Sequence, residues 1–172
     1  GLDGFFLDNT DIYYQYPKVD IYQGLKTILT GLKQYSLPLI LNGGDTFVQK
    51  SIEDGSALSL FDGVNQECVF TKIDFSKPSY LSQDKETKAY YEEYLEKAKT
   101  AGLSVYLTEY HANSELSQEI EQYCKENGFL WYNAKSIELT KSNFFFSISF
   151  VLFLLLYFVR SISFALFFFA DL

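Results

Sequence analysis

The sequence predicts an α/β fold built around a parallel sheet. Short apolar runs alternate with segments of helical periodicity, and successive runs lie roughly 30 residues apart, which is the spacing of repeated βαβ units. Polar residues follow most of the apolar runs, as they do at strand ends where α/β proteins bind ligands. An open doubly wound sheet fits this pattern, and so does the C-terminal part of a (β/α)8 TIM barrel, about strands four to eight, because a complete barrel needs about 250 residues.

Five segments are predicted as strands because each is short, rich in aromatic or branched residues and closed by turn-forming or polar residues. These segments are residues 2–7, 37–41, 63–70, 103–110 and 129–133. The first is the run LDGFFL, and the second, LPLIL, is closed by Asn42 and two glycines. A loop rich in Ser, Pro and Asp is expected after the third strand.

Helical periodicity fills the intervals between the predicted strands. The four predicted helices cover residues 19–35, a shorter stretch around 47–52, residues 84–102, and a segment that begins near residue 114. Gly102 is a predicted C-cap, Ser114 a predicted N-cap, and the pair Asn127 and Gly128 a predicted helix stop. Alternation of this kind requires right-handed crossovers between parallel strands.

The charge of the chain excludes one class of partner. A net charge of −8 with no cluster of Lys or Arg argues against nucleic-acid binding and favours cationic ligands. Two cysteines and a single histidine are too few for a disulfide scaffold or a zinc site, so we expect no metal and no cofactor.

The two ends of the chain carry separate expectations. Since the sequence has no Met and opens on a predicted strand, we expect its start to be an internal cut, with any signal peptide or upstream strands lost. One α/β domain is expected over residues 1–140 and a hydrophobic tail over residues 141–172. Residues 144–170 are long enough to contact or span a membrane, although they contain Arg160, and a frameshift product is the alternative interpretation.

Polar residues at the carboxyl ends of the predicted strands form a candidate site. In chain order they are Asp8, Asn9, Asp11, Asn42, Glu67, Glu109, Tyr110, His111 and Asn133. Turns and helix caps would explain roughly half of such residues. They explain Glu67 and Glu109 poorly, because Glu is favoured neither as a cap nor within a strand.

One Asp and one Glu at different strand ends are the equipment of a glycosidase. One carboxyl group protonates the leaving oxygen, while the other attacks the sugar or activates water, provided that their surroundings separate their protonation states. We therefore expect Asp8 and Glu67 to be catalytic, with each carboxyl group partly desolvated. Seven residues are expected to contact the substrate, some through aromatic stacking on sugar: Asn9, Asp11, Tyr14, Asn42, Glu109, Tyr110 and Trp131.

Three motifs extend this interpretation. GLDGFFLDNTD, ILNGGD and DGVNQECVF, in this order, resemble the second half of the barrel of glycoside hydrolase family 114, the endo-α-1,4-polygalactosaminidase-like proteins. The resemblance covers about residues 1–140 and includes the closing FLWYNAKSIELT. It implies that Asp8 and Glu67 are the catalytic carboxylates and that Asn42 is a substrate-orienting amide. It also implies a partly deacetylated galactosamine polymer as substrate, and we expect a secreted or cell-surface protein.

The sequence departs from the family pattern at two places. Phe6 stands where members of the family often have an acidic residue, and the third motif reads Asn65, Gln66, Glu67, Cys68 where many members have Glu directly after Asn. Counting without a gap puts Glu67 on the acid position. The shifted register would put Gln66 there, and Gln cannot donate a proton, so that register predicts an inactive binding protein.

Two alternative functions stay open from the sequence. The first is a non-catalytic carbohydrate-binding protein or inactive enzyme fragment, because a barrel that lacks three strands exposes parallel edges that are normally covered. The second, more remote, is a haloacid-dehalogenase-like phosphatase, since Asp8, Asn9 and Thr10 resemble the end of its first motif. Phe6 occupies the position of the phosphatase nucleophile, which argues against that alternative.

Overall fold

The computed structural model describes residues 2–77 and 79–137. Packing divides the chain into two units, residues 1–133 and 134–172, and the fold presented below is that of the first unit. The predicted tail, residues 141–172, lies outside the described residues, and so does its predicted membrane contact over residues 144–170. No helix within the described ranges combines the length and the apolar character that crossing a bilayer requires.

Seven strands and six helices follow one another along the described chain. The strands are β1 (Phe5–Leu7), β2 (Leu39–Asn42), β3 (Gly63–Glu67), β4 (Thr71–Asp74), β5 (Ser79–Ser82), β6 (Ser104–Tyr110) and β7 (Leu130–Ala134). The helices are α1 (Ile12–Gln15), α2 (Val19–Lys33), α3 (Asp45–Glu53), α4 (Ala57–Leu60), α5 (Lys85–Thr100) and α6 (Ser114–Asn127).

Five of the strands form one sheet in the order β1-β2-β3-β6-β7. Pairing is parallel from β1 to β6, with Leu41 opposite Val64, Asn42 opposite Asn65, and Glu67 opposite Thr108. Because parallel neighbours end at the same edge, the polar residues that follow β1, β2 and β3 are carried to one rim of the sheet. The other two strands, β4 and β5, pair in antiparallel fashion as a separate hairpin, which we call the hairpin arm.

Successive residues of the strands alternate between an apolar face and a more polar face of the sheet. Leu39, Leu41 and Val64 are fully buried within the main apolar cluster, together with helix residues such as Phe47 and Leu95. Side chains of the intervening residues point to the opposite face of the sheet, because successive strand residues alternate. On β2 and β3 this second face contains Asn42, Asn65 and Glu67, three side chains of the candidate site.

Local sequence signals explain where the helices begin and end. Asp84 caps α5 by accepting a hydrogen bond from the Thr87 N–H at 2.9 Å, and Gly128 ends α6 in the left-handed conformation with φ of 72°. The cap of α6 is Asn113, which accepts from the Leu116 N–H, whereas the sequence predicts Ser114; Ser114 is instead the first helical residue.

The parallel α/β arrangement confirms the predicted fold class at that level, and the five strands of the sheet match the five predicted ones. A closed TIM barrel stays a prediction. The third strand is shorter than predicted, since it stops at Glu67 and Cys68 turns the chain with φ of 59°. The expected loop after it contains the hairpin arm, whose two short strands carry too little apolar alternation to be recognised in the sequence.

Candidate active site

Three strand ends bring the candidate catalytic side chains together. Asp8 directly follows β1, Asn42 is the last residue of β2, and Glu67 is the last residue of β3. Asn42 is buried, Glu67 is partly buried and Asp8 is exposed, so the expected desolvation holds for Glu67 and fails for Asp8. The strand order β1-β2-β3 places Asn42 between the two acidic residues.

A single amide nitrogen joins the two carboxylates. Asn42 Nδ2 donates to Asp8 Oδ1 at 3.2 Å and to Glu67 Oε1 at 3.0 Å. These two hydrogen bonds put the two acceptor oxygens at most about 6 Å apart, which is within the reach of one sugar ring between paired carboxyl groups. Asp8 and Glu67 are far apart in the sequence, and the side chain of Asn42 holds them close together in space.

A chain of buried amides fixes the orientation of Asn42. The Asn65 Nδ2 donates to Asn42 Oδ1 at 2.7 Å, and the Thr108 hydroxyl donates to Asn65 Oδ1 at 3.1 Å. Because carboxylates only accept hydrogen bonds, the Nδ2 of Asn42 has to face them, and each amide behind it is oriented in turn. Burying two amides would be costly if they were unpaired, so this chain also stabilises the rim.

Tyr110 holds the other oxygen of Glu67. Its hydroxyl donates to Glu67 Oε2 at 2.9 Å, and its ring is buried at the end of β6. Burial, followed by the charge of Glu67, raises the pKa of Tyr110 well above its usual value, so the phenol keeps its proton and remains a donor. Both oxygens of Glu67 are thus held by neutral donors.

The rim opens into a pocket of about 350 Å³. Its lining comes from the ends of β1, β2 and β3, the start of α3 and one residue of α5: Asp8, Asp11, Asn42, Gly43, Gly44, Asp45, Gln66, Glu67 and Tyr91. Among these described residues four are acidic and none is basic. A pocket of this composition attracts hydrogen-bond donors and positive charge.

Gln66 lines the pocket and carries one buried oxygen that has no partner among the described residues. Its side chain is 6% exposed, and its Nε2 donates to the Glu67 carbonyl oxygen at 3.0 Å. Because that carbonyl can only accept, the Gln66 Oε1 faces the other way, where no hydrogen-bond partner is found among the described residues. Buried acceptors of this kind are commonly satisfied by an ordered water.

Four of the nine sequence-predicted site residues line the pocket, namely Asp8, Glu67, Asp11 and Asn42. Asp11 Oδ1 also accepts from the Gly44 N–H at 2.9 Å, which ties the loop after β1 to the start of α3. Tyr110, a fifth, contacts Glu67 directly but does not line the pocket.

The other four predicted residues lie elsewhere. Glu109 is fully buried, and its carboxylate accepts from the backbone that follows β3, so it is placed away from the substrate-binding position expected for it. Trp131 donates to Glu121 on α6 at 2.7 Å. Tyr14 is 71% exposed, and Asn9 adopts a left-handed turn with φ of 67°; neither lines the pocket.

Sequence reasoning missed several residues of the site. The sequence does contain a signal for Asn65. An Asn in the middle of a buried strand, next to a strand that ends in Asn, suggests two side-chain amides that bind each other. Asp45 reaches the pocket from α3 and Tyr91 from α5, and Gln66 reaches it from the face of β3 that also carries Val64. No local sequence motif predicts these positions. Within the described residues, no cluster of three or more His, Cys, Asp or Glu could hold a metal ion.

Comparison with known proteins supports the fold. The structure is similar to the glycoside hydrolase domain of PelA from Pseudomonas aeruginosa, with a TM-score of 0.64 and 16% identity over 82% of this chain and 56% of that chain. A variant of the same domain, in which one glutamate is replaced by alanine, gives a TM-score of 0.64 and 15% identity with the same coverage. The chain therefore spans just over half the length of those domains.

Sequence comparisons add no family. No protein-family model matches the chain, and no curated protein matches it. The resemblance to glycoside hydrolase family 114 accordingly stays a prediction, while the α/β fold of the described chain is the fold of part of a glycoside hydrolase domain.

Proposed function

We propose that this chain carries the catalytic rim of a glycoside hydrolase that acts on an extracellular polysaccharide. The observation that supports the proposal most is the shared amide: Asn42 Nδ2 donates to both Asp8 and Glu67 at the rim of the parallel sheet. Two carboxyl groups at this separation can act on one glycosidic bond. Similarity to the hydrolase domain of PelA gives independent support at the level of the fold.

The proposed mechanism retains the anomeric configuration. Retaining enzymes place their carboxyl groups about 5 to 5.5 Å apart and inverting enzymes about 6.5 to 9.5 Å. Asn42 keeps its two acceptors, Asp8 Oδ1 and Glu67 Oε1, within about 6 Å of each other, which is nearer to the spacing of the retaining class. Both hydrogen bonds described for Asp8, from Asn42 and from the Asn9 N–H, end on Oδ1, which leaves Oδ2 to attack the anomeric carbon. In the same step Glu67, as the carboxylic acid, gives its proton to the leaving oxygen while the glycosidic bond breaks, and it becomes a carboxylate. It then takes a proton from the water that attacks the anomeric carbon, which breaks the bond between the sugar and Asp8 and restores the acid.

We further propose that the polysaccharide is a partly deacetylated amino-sugar polymer. Asp11 and Asp45 add negative charge to a pocket that already contains the two proposed catalytic carboxylates, and its described lining has no positive charge to balance them. A protonated sugar amine would be attracted by that charge.

Polymer digestion tests the proposal directly. The full-length gene product is incubated with partly deacetylated α-1,4-galactosamine polymer, and reducing ends and the configuration of the first product are measured by NMR. We expect cleavage with retention, loss of cleavage in Asp8→Asn and Glu67→Gln, and reduced affinity for the deacetylated polymer in Asp45→Asn. Cleavage by both carboxylate variants at the parent rate would overturn the catalytic assignment.

Azide separates the two proposed roles. In Asp8→Gly, azide can replace the nucleophile and gives a glycosyl azide of inverted configuration, whereas in Glu67→Ala it attacks the glycosyl intermediate and gives the retained configuration. Exchanged outcomes would reverse the roles of Asp8 and Glu67.

A non-catalytic carbohydrate-binding protein is the second candidate. The chain covers 56% of the hydrolase domain that it resembles, and β1 and β7 form the edges of its sheet. Binding of the polymer, measured by calorimetry, with no cleavage by the full-length product would favour this function over the first.

A further inference from the structure

We infer that Glu109 is a positioning residue that holds the proposed catalytic Glu67 in place through the backbone that follows it. The inference rests on the proposed function where it calls Glu67 catalytic, but the positioning itself is a statement about this chain's own contacts. Glu109 lies on β6 next to Tyr110, and it never reaches the pocket.

The carboxylate of Glu109 is the centre of a turn formed by residues 68–71, which we call the cradle segment. Glu109 Oε1 accepts from the N–H groups of Val69 at 2.9 Å and Phe70 at 3.0 Å, and Oε2 accepts from the Thr71 N–H at 2.8 Å and the Thr71 hydroxyl at 2.5 Å. Three successive amides after Glu67 therefore point at one buried side chain. Without it they would be buried donors with no acceptor, because β3 has already ended.

The cradle segment is also linked to Tyr110, the residue that binds Glu67. The Tyr110 N–H donates to Thr71 Oγ1 at 3.0 Å, and the same hydroxyl donates to Glu109. Tyr110 then donates its phenol proton to Glu67 Oε2. These contacts form a closed ring. The backbone links Glu67 to Thr71, one hydrogen bond links Thr71 to Tyr110, and another links Tyr110 back to Glu67. Glu109 binds the backbone part of this ring.

Position 68 shows why an anchor is needed at this point. Cys68 has φ of 59°, a left-handed conformation that a residue with a Cβ rarely adopts, and its N–H donates to the Thr108 carbonyl at 3.0 Å. The chain must turn sharply immediately after the proposed catalytic residue, and the hydrogen bonds to Glu109 stabilise that turn. A change at Glu109 is therefore transmitted to the backbone that carries Glu67.

Burial and hydrogen bonding act on the pKa of Glu109 in opposite directions. Burial raises the pKa of Glu109, and the donors from Thr71, Phe70 and Val69 lower it, in that order of size. A carboxylate that is fully buried against neutral donors is costly to keep, and here it is used to organise the segment next to the proposed active site rather than to bind substrate.

The test compares Glu109→Gln with a matched change at Asp62. Asp62 also uses its carboxylate to accept a backbone N–H, that of Leu39 at 2.9 Å, but it lies at the opposite rim of the sheet. In Glu109→Gln, one amide oxygen replaces two acceptors. We expect kcat on the polymer to fall by about tenfold to a hundredfold with KM little changed, as small misplacements do, while Asp62→Asn leaves kcat unchanged.

Thr71 supplies the second pair of variants. Thr71→Val removes the hydroxyl that joins Tyr110 to Glu109, and we expect kcat to fall in the same way but less, whereas Thr71→Ser keeps the hydroxyl and restores the parent value. If Thr71→Ser and Thr71→Val behave alike, or if Asp62→Asn lowers kcat as much as Glu109→Gln, the positioning role is overturned.

One measurement does not depend on activity. Amide hydrogen exchange at residues 69–71 and the NMR titration of the Glu67 carboxyl carbon are compared in parent, Glu109→Gln and Asp62→Asn. We expect faster exchange and a shifted Glu67 titration in Glu109→Gln alone. Those changes in a protein that cleaves no polymer would uphold the positioning role and reject the proposed function; an unshifted Glu67 titration in Glu109→Gln would reject the positioning role itself.

Discussion

Carboxylates at the two rims of the parallel sheet have different kinds of bonding partner. At the amino-terminal rim, Asp62 pairs with the Lys33 ammonium at 2.5 Å and with the Leu39 N–H, so its charge is compensated. At the carboxyl-terminal rim, Asp8 and Glu67 are held by the amide of Asn42, and Glu67 also by a phenol. No ion pair described in this chain involves either of them.

This difference separates two uses of the same functional group. A cation compensates the charge of Asp62, which joins two strands, whereas the neutral donors on Asp8 and Glu67 orient these side chains without neutralising them. Glu109 is also held by neutral donors, but it is fully buried and reaches no ligand. Natural proteins retain such uncompensated charge mainly where function requires it. The four predictions below test this contrast, from the largest expected effect to the smallest.

Replacing either rim carboxyl group by its amide should have the largest effect. Asp8→Asn and Glu67→Gln are each expected to lower kcat on the amino-sugar polymer by about 10³-fold or more, since each removes a group with a separate chemical role. Their urea midpoints should equal or exceed that of the parent, because repulsion within the acidic pocket is relieved. A variant that retains activity but loses stability would place that residue with Asp62 as a structural carboxylate.

Replacing the shared amide should come next. Asn42→Asp puts a third carboxylate where Nδ2 donates to the other two, and we expect kcat/KM to fall by about 10²- to 10³-fold, as when one preorganised donor is lost. The pH–rate profile should also change shape, because three neighbouring acids titrate together. Asn42→Ala is the matched control, since it removes the donor without adding charge; an unchanged pH profile in Asn42→Asp would contradict the shared-amide arrangement.

Changing the opposite rim should alter stability alone. Asp62→Asn is expected to lower the free energy of unfolding by about 1 kcal/mol, because it removes a partly exposed ion pair and weakens one hydrogen bond. Urea titration measures this effect, and the kcat of the variant should match that of the parent. A loss of kcat without a loss of stability would break the contrast between the two rims.

The smallest effect should appear at a thiol near the uncompensated charge. Burial, then the charges of Glu109 and Glu67, raises the pKa of Cys68 to about 12. Because a raised pKa favours the neutral thiol, only about one molecule in 10⁴ carries the thiolate at pH 8. Alkylation by iodoacetamide should therefore be slow at pH 8 and accelerate up to about pH 12. Glu67→Gln should speed it slightly, whereas the distant Asp62→Asn should not.

The alternation of strands and helices made the sheet predictable, and with it the meeting of Asp8, Asn42 and Glu67 at one rim. Parallel strands end together, so the end of each strand in the sequence marks the same edge in space. What each side chain does there is a separate question: the catalytic roles of Asp8 and Glu67 stay predictions.

Glu109 illustrates the limit of such reasoning. The sequence shows an acidic residue near a strand end, but the residue next to it, Tyr110, is the one that reaches Glu67. Which of two neighbouring strand residues points toward Glu67 depends on the register of the strand, and a shift of one residue reverses the direction. Glu109 accepts hydrogen bonds from the cradle segment, which lies about forty residues earlier in the sequence. No pattern near either segment predicts this contact.

The buried carboxylate of Glu109 fastens residues 68–71 to β6, but the hairpin arm that continues from them has its own contact with the site. The ring of Tyr80 in the arm stacks on the ring of Tyr110, whose phenol donates to Glu67. Another sequence grafted into the arm would therefore have to keep an aromatic side chain at position 80, or Tyr110 would lose the surface that supports its ring.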